Sequence, residues 1–190
     1  MALLRDTTGF RTDKTGLVPT KIRRLSIQLI SILSLFLFAA CSLDTNDNDG
    51  SVISGGETAQ VTRIVDGDTI EVDINGVGYR VRYIGVNTPE REEPCYSNAT
   101  QANADLVEGQ TVTLVRDTSN TDQYGRLLRY VYVSNQFVNA LLVQNGWAEN
   151  AEYPPDVEQS ATFRALESDA IRRDVGCHPT GIFDDGNDRR

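Results

Sequence analysis

The chain has 190 residues, 27 Asp/Glu against 18 Lys/Arg, a net charge of −9 and 39% hydrophobic residues, which suits one domain with export and tether segments. That acidity weighs against a storage or architectural role on nucleic acid, which needs a broad basic face, while leaving room for a hydrolase with local positive charge.

Residues 25–40 are an apolar run behind Lys21, Arg23 and Arg24. The run is shorter than the roughly 20 residues of a membrane span and predicts an export signal. Phe38-Ala39-Ala40-Cys41 resembles a bacterial lipoprotein cleavage box, which implies lipidation of Cys41 as the first mature residue. Ser42 matches the outer-membrane or cell-surface sorting pattern, and a soluble periplasmic or secreted product with a free Cys41 is the other reading. Asp6 and Asp13 are unusual for a leader and predict a start near Leu17 or Val18. Residues 1–40 hold six basic and two acidic residues, so cleavage leaves 12 against 25, a net −13. No lysine follows Lys21, and every later cation is an arginine. Residues 41–58, rich in Asn, Asp, Ser and Gly, predict a flexible tether.

A folded domain is predicted over 59–180, with a disordered tail at 181–190. Val61, Ile64 and Val65 lead into Asp66-Gly67-Asp68; Ile70, Val72 and Ile74 then alternate with Glu71 and Asp73. Asn75-Gly76 predicts a hairpin. The next strand sets Tyr79, Val81 and Tyr83 on one face and Arg80, Arg82 and Ile84 on the other. A helix is predicted over 97–107, with Ser97 as cap and Gly109 as stop, then strands over 111–115 and 127–133. Phe137, Val138, Leu141 and Leu142 predict a helix over 136–145, and Phe163, Leu166 and Ala170 a third over 158–173. Five short strands with a helix between the third and fourth fit an α+β fold, a five-stranded OB-type Greek-key barrel with three helices.

Two aspartates at a turn, an Asn87-Thr88-Pro89-Glu90 corner, and arginines at 82 and 126 combine oxygen ligands for a hard cation with forked phosphate donors. Arg63, Arg80 and Arg129 read as solvated strand-face residues, as do Glu92 and Glu93 on their loop. Tyr124 is either core or a lid on a bound nucleotide, with core favoured. His178, the single histidine, reads as exposed, and no nucleophile-elbow motif accompanies it.

The ordered trio Asp66-Gly67-Asp68-Thr69, Arg82 to Glu90, and Asp122-Gln123-Tyr124-Gly125-Arg126 resembles the staphylococcal nuclease family of calcium-dependent phosphodiesterases. The resemblance implies the same OB-type barrel and a nuclease acting on DNA, and on RNA as a second substrate, with one Ca²⁺. It makes Asp68 the principal metal ligand, beside the Thr88 backbone carbonyl and Asn87. The family's best-known members carry aspartate where Asn87 stands, so one carboxylate is lost and weaker metal affinity is expected. Glu90 matches the general base, and Arg82 and Arg126 match the phosphate-binding arginines. The family's stacking tyrosines after Gly146-Trp147 are poorly matched, with Tyr153 alone nearby.

With Cys41 lipidated, Cys95 and Cys177 are an even pair in an exported domain and predict a disulfide. The protein is expected to be a monomer. The alternative to a nuclease is an OB-type module with weakened catalysis that binds nucleic acid or protein, for which Asn87 and the missing tyrosines speak.

Overall fold

The computed structural model describes residues 55–184 and residue 186. The export run, Cys41 and the tether up to residue 54 lie outside the described residues. The elements in order are β1 (Glu57–Ile64), β2 (Thr69–Ile74), β3 (Val77–Tyr83), β4 (Val86–Asn87), α1 (Tyr96–Val107), β5 (Thr111–Val115), β6 (Leu127–Val133), β7 (Gln136–Phe137), α2 (Val138–Gln144), β8 (Glu149–Asn150) and α3 (Ser160–Arg173).

Period-two patterning builds the strands. In β2, Ile70, Val72 and Ile74 are buried while Glu71 and Asp73 stay half-exposed. Asn75 and Gly76 take φ of 54° and 85°, the pair of positive values a type I′ hairpin needs, and β3 returns antiparallel on β2. β1 pairs antiparallel with β2 and with β5, and β5 with β6. β3 and β6 then pair in parallel, Val81 with Leu127 and Arg82 with Leu128. That last pairing closes five strands into a mixed barrel with three helices, as expected from the strand and helix order.

The barrel interior is apolar: Val61, Ile70, Val72, Val81, Leu114 and Val131 are all buried. Outside it, Phe163 of α3 is fully buried and stands 5.6 Å from the Phe137 ring. Gly85, at φ 76°, lets the backbone touch Phe163; a Cβ there would lie 2.5 Å from the ring.

Cys95 and Cys177 are bonded across 82 positions, closing a loop worth ~4 kcal/mol by chain entropy. α1 starts earlier than the expected cap at Ser97. Cys95, at φ 72° and without a side-chain cap, is the N-cap residue, and Ser97 falls inside the first turn. Arg129 departs from the solvated reading: it is buried, donating to the Asn120 and Leu128 carbonyls and to Asn120 Oδ1. Three acceptors compensate its desolvation and tie β6 to the loop before it. His178 is half-buried against the Phe183 ring rather than exposed, and its Nε2 is buried with no hydrogen-bond partner among the described residues. Among the described residues no helix is long and apolar enough to cross a membrane.

Candidate active site

The Asp66-Gly67-Asp68 turn hangs from the start of β2 and is fixed from three sides. Val65 and Asp66 both donate from their backbone N–H to the Thr69 carbonyl, and Asp68 N–H donates to Asp66 Oδ1 at 3.1 Å. From α1, fully buried Asn103 donates its Nδ2 to the Asp66 carbonyl at 2.9 Å and accepts from the Tyr83 hydroxyl. From below, Gly67 lies so close to Thr88 that an added Cβ would sit 2.7 Å from its Oγ1.

Asp68 is buried and gathers three hydrogen-bond donors and one ion pair. Thr88 gives its N–H (2.9 Å) and Oγ1 (3.0 Å) to Oδ2, while Thr69 Oγ1 and Arg82 Nε, each at 3.2 Å, reach Oδ1. Burial and then the Asp68 charge push the Asp66 carboxyl up to about 6. Glu90, exposed at the rim, is raised by its partial burial and then by Asp68. Its N–H donates to Glu93 Oε2 at 2.7 Å, so Glu93 shapes this corner instead of being merely solvated.

The two arginines differ. Arg82 is 8% exposed and spends Nε on Asp68, both Nη1 protons on the Tyr83 and Val86 carbonyls (2.8 Å each), and one Nη2 proton on Asn87 Oδ1. One Nη2 N–H is left beyond Asn87 to meet a phosphate oxygen. Arg126 has only its Nε bound, to Asp122 Oδ2 at 2.6 Å, and both Nη groups make no hydrogen bond among the described residues. Asp122, which burial alone would raise, is held below its ordinary value by Arg126 and by the N–H groups of Arg126 and Tyr124.

Asp66, Asp68, Arg82, Glu90 and Arg126 line one cavity of about 550 Å³ together with Tyr124. Both guanidiniums and the carboxylates thus meet on one side of the barrel. Asn87 and Thr88 stand behind them and do not line the cavity. Asn87 is fully buried, with Oδ1 on Arg82 and Nδ2 donating to Glu149 Oε1 at 2.9 Å. Tyr124 is 76% exposed, over the Arg126 guanidinium at 5.6 Å, so the core reading fails. The Asp122 turn, capped by its own carboxylate at Tyr124 and Arg126, holds the ring out in solvent. Tyr153 and Asp156 also line the cavity, and Asp156 Oδ1 accepts from the Thr118 and Ser119 N–H groups.

Asn103, Asn139, Glu149 and Asp156 are buried polar residues that the sequence reading passed over. Asn103 had a signal: it interrupts the apolar face of α1 between Ala99 and Val107. Glu149 had none.

Among the described residues no three Asp, Glu, His or Cys side chains stand close enough to enclose an ion alone. The donor set still suits a hard cation: carboxylate oxygens at Asp66 and Asp68, with Asp66 raised by its burial and then by the Asp68 charge. A closed OB-type barrel with acids and arginines over one cavity defines a domain fitted to a polyanion bound locally. Residues 80–177 match the profile of the staphylococcal nuclease homologue family. The chain is 33% identical over 129 residues to the thermonuclease of Staphylococcus intermedius, covering 63% of this chain and 75% of that one. It is 32% identical over 164 residues to the thermonuclease of Staphylococcus hyicus, 82% of this chain and 91% of that one. Over 116 residues it is 39% identical to endonuclease YncB of Bacillus subtilis, covering 57% and 55%. The chain belongs to the staphylococcal nuclease homologue family.

Proposed function

We propose that this nuclease hydrolyses DNA, and RNA as a second substrate, in a Ca²⁺-dependent reaction without a covalent enzyme intermediate. The observation that supports it is the meeting of Asp68, Glu90, Arg82 and Arg126, drawn from three separate stretches, on one cavity. Asp68 and the Thr88 backbone carbonyl would hold one Ca²⁺, with Asn87 joining only by releasing Arg82. When bound, the ion would supply positive charge to offset the phosphate and the Asp66 and Asp68 carboxylates.

Arg126 grips the phosphate through its two unoccupied Nη groups, the bidentate geometry a guanidinium offers an oxyanion. Arg82, locked by its backbone carbonyl acceptors, aims its remaining N–H at charge growing on phosphorus. Glu90, at the rim, orients a water and takes its proton, help worth typically ~10²–10⁴-fold. Tyr124 lines the same cavity. Heat-denatured DNA incubated with the purified protein is expected to be cleaved with Ca²⁺ and spared with EDTA; survival of the DNA in both arms sinks the proposal.

The sequence also supports export and lipid anchoring through Cys41, with Ser42 favouring an outer or surface membrane. Labelling cells with a radioactive fatty acid tests it: Cys41→Ser is expected to abolish incorporation, and equal labelling of that variant rejects the anchor.

A further inference from the structure

The corner that carries Glu90 is anchored at one end by hydrogen bonds and at the other by a covalent bond. Upstream, Thr88 gives its N–H and Oγ1 to Asp68. Between, the chain closes on itself. Glu90 N–H donates to Glu93 Oε2 at 2.7 Å, Glu93 N–H donates to the Glu90 carbonyl at 2.9 Å, and the Arg91 guanidinium lies 5.9 Å from the Tyr96 ring centre. Downstream stands Cys95, bonded to Cys177.

The first turn of α1 relies on that bond. Its N-cap residue is Cys95 itself, which makes no side-chain hydrogen bond to the N–H groups a helix leaves open there. Ser97 and Asn98 are exposed, and burial of the helix begins at Ala99. Cys177, by contrast, is rigidly seated. It is fully buried, its N–H donates to the Gly146 carbonyl at 2.8 Å, and a Cβ on Gly176 would lie 2.4 Å from the Gly146 carbonyl carbon. The disulfide therefore ties packed backbone to a corner where Glu90, Arg91 and Glu92 are all exposed. The Asp66-Gly67-Asp68 turn is held from farther along α1, by fully buried Asn103 on the Asp66 carbonyl.

We propose that the Cys95–Cys177 bond is a redox switch that sets the position of Glu90 while leaving the Asp66-Gly67-Asp68 turn in place. Two electrons and two protons from a dithiol convert the bond to two thiols, and the dithiol closes to its own disulfide. The uncapped first turn of α1 then frays, and Glu90 loses its fixed place on the cavity. A disulfide-bearing oxidant takes the electrons and protons back and restores the corner. Set beside the export reading, the switch keeps cleavage weak in a reducing cytosol and full outside it. The loss of cleavage rests on the nuclease reading; the loosening of the corner does not.

Limited trypsin digestion of the oxidised full chain and of the same chain reduced with dithiothreitol tests it, the products being read by mass spectrometry. Cutting after Arg91 is expected to be about tenfold faster in the reduced form. Cutting after Arg129, buried in β6, is expected to stay unchanged and reports that the barrel is intact. On heat-denatured DNA with Ca²⁺, reduction is expected to lower kcat by about 10²-fold. Ca²⁺ affinity from equilibrium dialysis is expected to stay the same. Cys95→Ser combined with Cys177→Ser is expected to match the reduced form with or without dithiothreitol. Equal trypsin rates at Arg91 in the two forms overturn the switch, as does cutting at Arg129 that rises in step. Faster cutting at Arg91 with undiminished kcat also overturns it and assigns the bond to stability alone. A loosened Arg91 corner in a chain whose oxidised form never cleaves DNA would remove the nuclease proposal and leave the loosening standing.

Discussion

Asn87 stands between Glu149 and Arg82, giving its Nδ2 to the one at 2.9 Å and its Oδ1 to the other at 3.3 Å. The amide can point only one way: reversed, it would set two acceptors together at Glu149 and two donors together at Arg82. A residue 62 positions away therefore helps aim the arginine at the cavity.

Asn87→Asp places two carboxylates at hydrogen-bond distance in a buried site. The variant is expected to lose about 2 kcal/mol in urea unfolding, since a buried acceptor pair lacks its shared donor. Adding Glu149→Gln restores a donor and is expected to return most of the loss. Additive losses in the double variant would show that the two side chains are not coupled.

Arg126→Lys and Arg82→Lys separate grip from scaffold. Arg126 is bound through Nε alone, so its replacement is expected to lower kcat/KM by about 10²–10³-fold with little change in stability. Arg82 satisfies Asp68, two carbonyls and Asn87. Its replacement is expected to lower both, by about 3 kcal/mol in stability as buried acceptors lose their donors. Comparable stability in the two variants would contradict the assignment.

Gly85→Ala tests the contact between the end of β3 and α3. The new methyl would meet Phe163 Cε2 at 2.5 Å and Cδ2 at 2.8 Å, on a residue already at φ 76°. The cost is expected to be about 3 kcal/mol, combining overpacking with left-handed strain. Denaturation midpoints within error of the parent protein would refute it.

His178 gives the fold an acid-side weakness. Burial lowers its pKa below the ordinary 6.5 against the opposing pull of Asp184 and Asp174, and its Nε2 has no hydrogen-bond partner among the described residues. Because the unfolded chain takes the proton first, stability is whole above 6.5 and falls as pH drops through the folded value. His178→Gln is expected to flatten the decline in Tm between about pH 7.5 and about pH 5.5. An unchanged slope would place the sensitivity elsewhere.

The local grammar of this chain is plain where neighbours in sequence are neighbours in space. β5 and β6 fall on the alternating runs 111–115 and 127–133, and Asn75-Gly76 turns where that pair must. The Asp66-Gly67-Asp68 turn and Arg126 were readable because each motif carries its own turn chemistry. The misread residues depend on distant partners. Arg129 is buried because Asn120 waits with two acceptors, and Tyr124 is exposed because the Asp122 carboxylate fixes the turn beneath it. Glu149 matters through a side chain 62 positions earlier, and no periodicity announces such a meeting.

The parallel register of β3 and β6 has a consequence for how such a protein can vary. Arg82 lies opposite Leu128, two places past Arg126, so strand pairing sets the backbone separation of the two arginines, and the Asp122 turn then holds the Arg126 guanidinium. Lengthening residues 91–94 leaves that spacing intact, whereas one residue inserted within β3 turns the Arg82 guanidinium to the opposite face. Tolerance to insertion thus divides sharply within a few ångströms of the chemistry.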